Sequence, residues 1–246
     1  MNLIELKARV LLFALMSIAA LPLSGATGDG RQPVVLLHGL IRSDASMEDM
    51  ARALNDAGFR PCNVDYPSTE HPIGELAMDF VLPAIQDCVS DPEETPIAFV
   101  GHSLGAIIVR YLGAEGAPIR FGRVVMLAPP NKGSVMVDKL KDNELFQWLN
   151  GPAGSQLGTG ENSLPRSLGA TELEVGVIAG TGSINPVFSA LIPGEDDGTV
   201  AVDNTRLEGM DDFIEVPASH SFMMYDDEVI AQTVHFLKTG AFRHDQ

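Results

Sequence analysis

Gly101-His102-Ser103-Leu104-Gly105 lies between the apolar run Ile97-Ala98-Phe99-Val100 and the apolar-periodic stretch Ala106-Ile107-Ile108-Val109-Arg110-Tyr111-Leu112. A strand that turns at once into a helix brings backbones too close for side chains, and glycines at two positions before and two after the serine relieve that crowding. The spacing therefore predicts a tight strand-to-helix turn with Ser103 at its apex. Such a turn exposes the hydroxyl at the carboxyl edge of a sheet and aims the first helical N–H groups at the same point. Ser103 is a candidate nucleophile.

The rest of the chain supplies a sheet for that turn. At 246 residues and 45% hydrophobic content it can bury one good core, which predicts one domain over 27–246. Strand and helix patterns alternate from Pro33 onward, as in an α/β fold with a mostly parallel sheet and helices on both faces. Predicted strands are Pro33 to Leu37, Phe59 to Asp65, Ile97 to Val100, Arg123 to Leu127, Leu173 to Ala179 and Asp212 to Val216. Several are continuous apolar runs, expected of strands buried on both sides. Ser46 and Asp49 read as a capping-box start for a helix that Gly58 stops. A second helix spans Ile73 to Val89 with a kink at Pro83, and a third runs from Asp226 to Leu237. From Gly133 to about Ala170 the alternation breaks. This stretch is too apolar for a solvated loop and too irregular for another strand-helix unit. It reads as a small cap over the sheet's carboxyl edge, with Met136, Leu140, Phe146 and Trp148 available to shelter a substrate. Ordinary helical packing on the core is the competing reading.

A formal charge of −17 argues against nucleic acid or anionic lipid surfaces as partners. In the first 26 residues, Lys7 and Arg9 precede an apolar run from Val10 to Leu23 and the small residues Ser24-Gly25-Ala26, the pattern of a cleaved export signal. A retained anchor is the alternative, and the run is short for a membrane span. Cleavage would leave no stable membrane span and place the protein in the periplasm or the medium. Export permits a disulfide, and the two cysteines are placed for one. Cys62 starts a strand and Cys88 ends the antiparallel helix that follows, so both fall at the amino-terminal edge. The bridge would contribute ~3 kcal/mol in the loop-entropy model.

A serine hydroxyl needs a base at neutral pH. Six histidines compete. His102 is inside the turn, with its side chain expected to point away from the nucleophile, and His38 is in an earlier strand-end loop. His71, His235 and His244 fall in a turn, a helix and the tail. His220 directly follows the last strand, at the edge where Ser103 should emerge. The base in turn needs a buried acceptor, and Glu195-Asp196-Asp197-Gly198, between the last two strands, offers adjacent carboxylates at Asp196 and Asp197, of which one should point inward. A calcium loop using Glu195 and Asp196 is the alternative, but the spacing fits no metal-loop pattern and no metal is expected. The N–H groups of Leu104, next after the serine, and of Leu40, after His38-Gly39, would hold a developing oxyanion.

These residues together resemble the α/β-hydrolase superfamily, and within it bacterial lipases and esterases with a His-Gly-Leu oxyanion turn and a Gly-His-Ser-Leu-Gly elbow. The resemblance covers about Pro33 to Leu237. It implies the order serine, acid, histidine, matched by Ser103, Asp197 and His220. The family's acid commonly stands in Asp-Gly-x-Val, as in Asp197-Gly198-Thr199-Val200, which selects Asp197 over Asp196. Ala128 to Ser134 is similar to the family's proline-containing turn ending in Gly-Ser. Secreted lipases of this kind often carry a longer lid and a structural calcium, and neither is evident here. The expectation is an exported serine esterase acting on small-molecule or lipid esters without a cofactor. A lipase or fatty-acyl thioesterase is the alternative enzyme, and a catalytically silent binding protein the alternative outside enzymes. The sequence carries no reading of oligomeric state.

Overall fold

Apolar runs without polar alternation become the centre of one six-stranded sheet. In the computed structural model, which describes residues 30–244, the strands are β1 (Pro33–Leu37), β2 (Arg60–Val64), β3 (Ile97–His102), β4 (Phe121–Leu127), β5 (Val175–Gly180) and β6 (Asp212–Val216). The export segment expected at 1–26 lies outside the described residues, as does the side chain of Phe146. The strand order is β2-β1-β3-β4-β5-β6, and every neighbouring pair is parallel. Successive side chains of a strand point to opposite faces. Val35, Leu37, Phe99, Val124 and Met126 accordingly join one buried cluster with the helical stretch 73–88 and the helix Leu104–Ala114. Val34, Leu36, Val100, Val125 and Leu127 join the other, with Glu48–Asp56 and Asp227–Thr239. Helices cover both faces, which is why the central strands needed no polar positions. Because all six strands run the same way, their carboxyl ends share one edge, and each following loop arrives there.

Two local expectations change. The helix at 48 is entered through a short turn, Asp44–Met47, with no side-chain cap. The Ser46 hydroxyl donates back to the Ser43 carbonyl instead of accepting from the first helical N–H groups, so the capping box does not form. The helical stretch 73–88 accommodates Pro83 by widening. Leu76–Val81 is a π turn, and the Leu82 N–H reaches the carbonyl of Ala77 five residues back. Proline lacks an N–H and its ring crowds the carbonyl four residues earlier, a conflict that the extra residue in the preceding turn relieves.

Between β4 and β5 the chain makes the long excursion that the broken alternation predicted. It contains helices Val135–Leu140, Glu144–Ser155 and Leu164–Ser167, the middle one interrupted at Gly151 and Pro152. Both ends of the excursion are tied to one buried cation. From the helix behind Ser103, the Arg110 guanidinium donates to the backbone and side-chain oxygens of Asn131 at 3.3 and 3.2 Å and to the Gly169 carbonyl at 2.7 Å. Burial lowers its pKa to about 10, so the group stays cationic at neutral pH. The Asn131 amide donates in turn to the Thr205 carbonyl, in the β5–β6 connection.

Cys62 and Cys88 form the expected disulfide, joining β2 to the end of the 73–88 helical stretch across a sequence separation of 26. A loop of that length corresponds to about 3 kcal/mol of lost unfolded-state entropy. Replacing both cysteines with alanine is expected to lower Tm by roughly 6–12 °C for a domain of this size, measured by calorimetry. An unchanged Tm would show that the bridge adds nothing to stability.

Candidate active site

The elbow around Ser103 is built by the absence of two side chains. A Cβ on Gly105 would lie 2.4 Å from the Leu37 carbonyl oxygen and 2.8 Å from that of His38, and one on Gly101 would lie 2.6 Å from the Ala106 nitrogen. No side chain fits at either position, so the helix Leu104–Ala114 packs its first turn directly on the ends of β1 and β3. Ser103 itself takes φ 51° and ψ −113°, a conformation a serine adopts only where its surroundings impose it. Its N–H donates to the Leu127 carbonyl at 2.9 Å, locking the turn to β4. As the first helical residue, Leu104 has an N–H with no intrahelical acceptor.

A hydrogen-bonded chain runs from that hydroxyl into the protein. Ser103 Oγ lies 3.1 Å from His220 Nε2, and His220 Nδ1 lies 2.7 Å from Asp197 Oδ2. The partners dictate the tautomer: Nδ1 carries the proton and donates it to the carboxylate, leaving the Nε2 lone pair for the serine O–H. The other Asp197 oxygen accepts the N–H groups of Thr199 and Val200 at 2.9 and 2.8 Å, and the Asp197 carbonyl accepts the His220 N–H. Asp197 is 2% exposed. Its neighbour Asp196 turns the opposite way, accepting from the Ser189 hydroxyl and the Gly198 N–H, both at 2.7 Å. One carboxylate orients the imidazole, and the other braces the loop that carries both. The arrangement can take a proton from Ser103 onto Nε2 and stabilise the resulting imidazolium.

Two further histidines belong to the site. His38 is fully buried; its Nδ1 donates to the Gly39 carbonyl at 2.8 Å and its Nε2 accepts the Tyr66 N–H at 3.3 Å. The Tyr66 hydroxyl donates to the His38 carbonyl, and the two rings stack 4.1 Å apart. Tyr66 thereby fixes the turn that presents Leu40, and nothing in the sequence signalled it. His102, expected to point away from the nucleophile, instead packs beside it. Its Nε2 donates to the His220 carbonyl at 3.0 Å, and the two rings lie 5.0 Å apart. The close approach of Gly39, where a Cβ would come within 2.7 Å of His102 Nδ1, lets the ring fill the space under the turn. That Nδ1 has no hydrogen-bond partner.

Above the serine is a cavity of about 470 Å³. Met136 and Leu140 line it with Val137, Leu157 and Phe188, and so do Leu40, Ser103 and His220. Trp148 does not; it is 77% exposed to solvent. The Phe146 side chain lies outside the described ones. Among the described residues, no group of three or more His, Cys, Asp or Glu is arranged to hold a metal ion, and no helix is long and apolar enough to cross a membrane.

The parallel sheet, the elbow and the loop-borne histidine and aspartate define a hydrolase-type α/β protein. Residues 34–191 match the family model described as alpha/beta hydrolase family, and the chain belongs to that family. None of the curated protein sequences compared with it matches. Among solved structures, the mature form of the Bacillus licheniformis lipase BlEst2 aligns with a TM-score of 0.66 at 21% identity, covering 85% of this chain and 93% of that one. Aspergillus fumigatus lipase B aligns with a TM-score of 0.63 at 15% identity, over 89% of this chain and 55% of that one. A phospholipase, PlaB from Legionella pneumophila, aligns with a TM-score of 0.57 at 18% identity, over 71% and 45%. These likenesses are of fold.

Burial has a measurable consequence for acid stability. Desolvation holds His102 well below the ordinary histidine range, aided by the neighbouring His220, and holds His38 below it despite the nearby Asp65. The unfolded chain binds these two protons near pH 6.5 while the folded chain resists them, so the stability that both confer is intact above that pH and is lost as pH falls below it. Each contributes a slope of up to about 1.4 kcal/mol per pH unit. Tm is expected to fall between pH 7.5 and 5.5, less steeply in His102→Gln and in His38→Gln. Equal slopes in all three proteins would rule out neutral burial as the cause.

Proposed function

We propose that the protein is an exported serine hydrolase that cleaves carboxylic esters through an acyl-enzyme. The observation that carries this reading is the chain from Ser103 Oγ through His220 to Asp197, at 3.1 and 2.7 Å, opening into an apolar cavity. Ser103 Oγ attacks the ester carbonyl as His220 Nε2 removes its proton. Asp197 holds the imidazolium, and the N–H groups of Leu104 and Leu40 receive the charge that develops on the carbonyl oxygen. When the tetrahedral species collapses, the carbon–oxygen bond to the alcohol breaks and His220 gives that alcohol its proton. Water then attacks the acyl-serine with His220 again as base, releasing the acid and restoring Ser103. Charge balance requires no other group.

The segment 133–170 acts in this reading as a small cap. Met136, Val137, Leu140 and Leu157 would shelter the acyl chain, and their apolar character is the observation in favour of longer chains, as in a lipase or fatty-acyl thioesterase. The disulfide and the apolar run from Val10 to Leu23 support export.

A fluorophosphonate probe is expected to label the purified protein at Ser103. Ser103→Ala should lose both labelling and the burst on p-nitrophenyl esters, with kcat down by at least about 10⁴-fold and an unchanged circular dichroism spectrum. A burst that persists in that variant, or a wild-type protein that takes no label, would end the assignment. Rates from acetyl to palmitoyl esters then decide between the two chain-length readings.

A further inference from the structure

The cavity above Ser103 has a chemical asymmetry that ester hydrolysis does not require. The chain carries 33 acidic residues against 16 lysines and arginines. Yet the lining of this cavity contains no carboxylate, and apart from its histidines the one charged side chain there is a cation, Arg42. Arg42 follows the Leu40 turn, and Ile41 between them sits at φ 60°, which turns the backbone sharply at this point. Its guanidinium donates to the Ser221 carbonyl at 3.1 Å. Among the described residues no acidic side chain pairs with it, whereas Arg52, Arg123 and Arg206 each face an aspartate or glutamate. Arg42 is half-buried, and its charge adds to the effects, led by burial, that keep His102 neutral.

Position gives that charge a direction. Ser221 follows His220, the residue that in the proposed reaction hands its proton to the departing alcohol. The apolar lining, Met136, Leu140 and Leu157, comes instead from the segment 133–170. One hydrogen bond to a carbonyl leaves most of the five guanidinium donors available, and a half-buried guanidinium binds a phosphate or carboxylate through short charge-assisted bonds. The acidic surface repels anionic esters at long range, so a preference for them has to be created locally.

We propose that Arg42 is a specificity-determining residue, and that the substrate is an ester whose alcohol portion carries a phosphate or carboxylate while its acyl portion is apolar. The inference rests on the serine-hydrolase reading and deepens it on the leaving-group side.

The test compares kcat/KM within two matched pairs of octanoyl esters. The first pair is 1-octanoylglycerol and 1-octanoylglycerol 3-phosphate; the second is 4-octanoyloxybutanamide and 4-octanoyloxybutyrate. Wild type is expected to favour the charged member of at least one pair by about tenfold or more, mainly through KM and less so at high salt. The pair in which this appears identifies the anion as phosphate or carboxylate. Arg42→Gln should bring the charged-to-neutral ratio to near one, Arg42→Lys should retain part of the preference, and Arg42→Glu should reverse it. Ratios near one for wild type in both pairs would overturn the inference. So would an Arg42→Gln variant that slows charged and neutral esters alike, since Arg42 would then only brace the histidine loop. Either of those results leaves the hydrolase reading intact. A protein that hydrolyses none of the four esters and takes no fluorophosphonate label would end both.

Discussion

The contact on which the site depends is one between backbones. The first turn of the helix behind Ser103 rests on the carbonyl ends of β1 and β3 with no Cβ in between, and Gly101 and Gly105 make that approach possible. It forces Ser103 into its strained conformation and leaves the Leu104 N–H, at the first helical position, without an intrahelical acceptor. It also brings the His38-Gly39-Leu40 turn alongside, because that turn begins where β1 ends. His220 and Asp197 need no such contrivance. They follow β6 and β5, and in a parallel sheet every loop after a strand opens on the same edge.

Around this contact the protein buries polar groups whose role is to hold other groups still. Tyr66 and His38 form one stack under the Leu40 turn, and His102 fills the gap between that turn and the His220 backbone. Their rings are neutral because burial makes their charged forms costly. A neutral ring can donate through one nitrogen and still pack as an aromatic disc. The site accordingly keeps an unpartnered lone pair on His102 Nδ1, an isolated departure from full hydrogen bonding at its centre.

Much of this was legible from residue order. The elbow announced itself because the steric demand for two glycines leaves few other readings of Gly-x-Ser-x-Gly between a strand and a helix. β1, β3 and β4 were visible as continuous apolar runs, since burial on both faces erases alternation. The choice of His220 followed from its place after the last strand. Asp197 could not be separated from Asp196 by residue type, because which carboxylate faces inward depends on the turn at Gly198 and on what Ser189 offers the other; family context made the choice. Tyr66 and His102 were unreadable for a related reason. Their roles lie in contacts between loops far apart in sequence, which no local period records. The π turn ahead of Pro83 was missed because the helix absorbs the proline by changing its pitch. Segment 133–170 was recognisable only by elimination, and its irregular helices have no single apolar stripe to betray which side chains turn inward.

Arg110 gives that segment an unusual status. Both of its ends are fastened to one guanidinium that projects from the helix behind the nucleophile, and Asn131 extends the fastening to the loop before β6. The entropic cost of closing such a loop rises only slowly with its length. Between those ends the stretch is held by contacts of its own: Ala153 and Leu157 are buried in the cluster on one face of the sheet, and the Ser134 hydroxyl donates to the Thr199 carbonyl, two residues past Asp197. Replacing Arg110 would release both ends of the stretch at once, although that side chain does not line the cavity above Ser103.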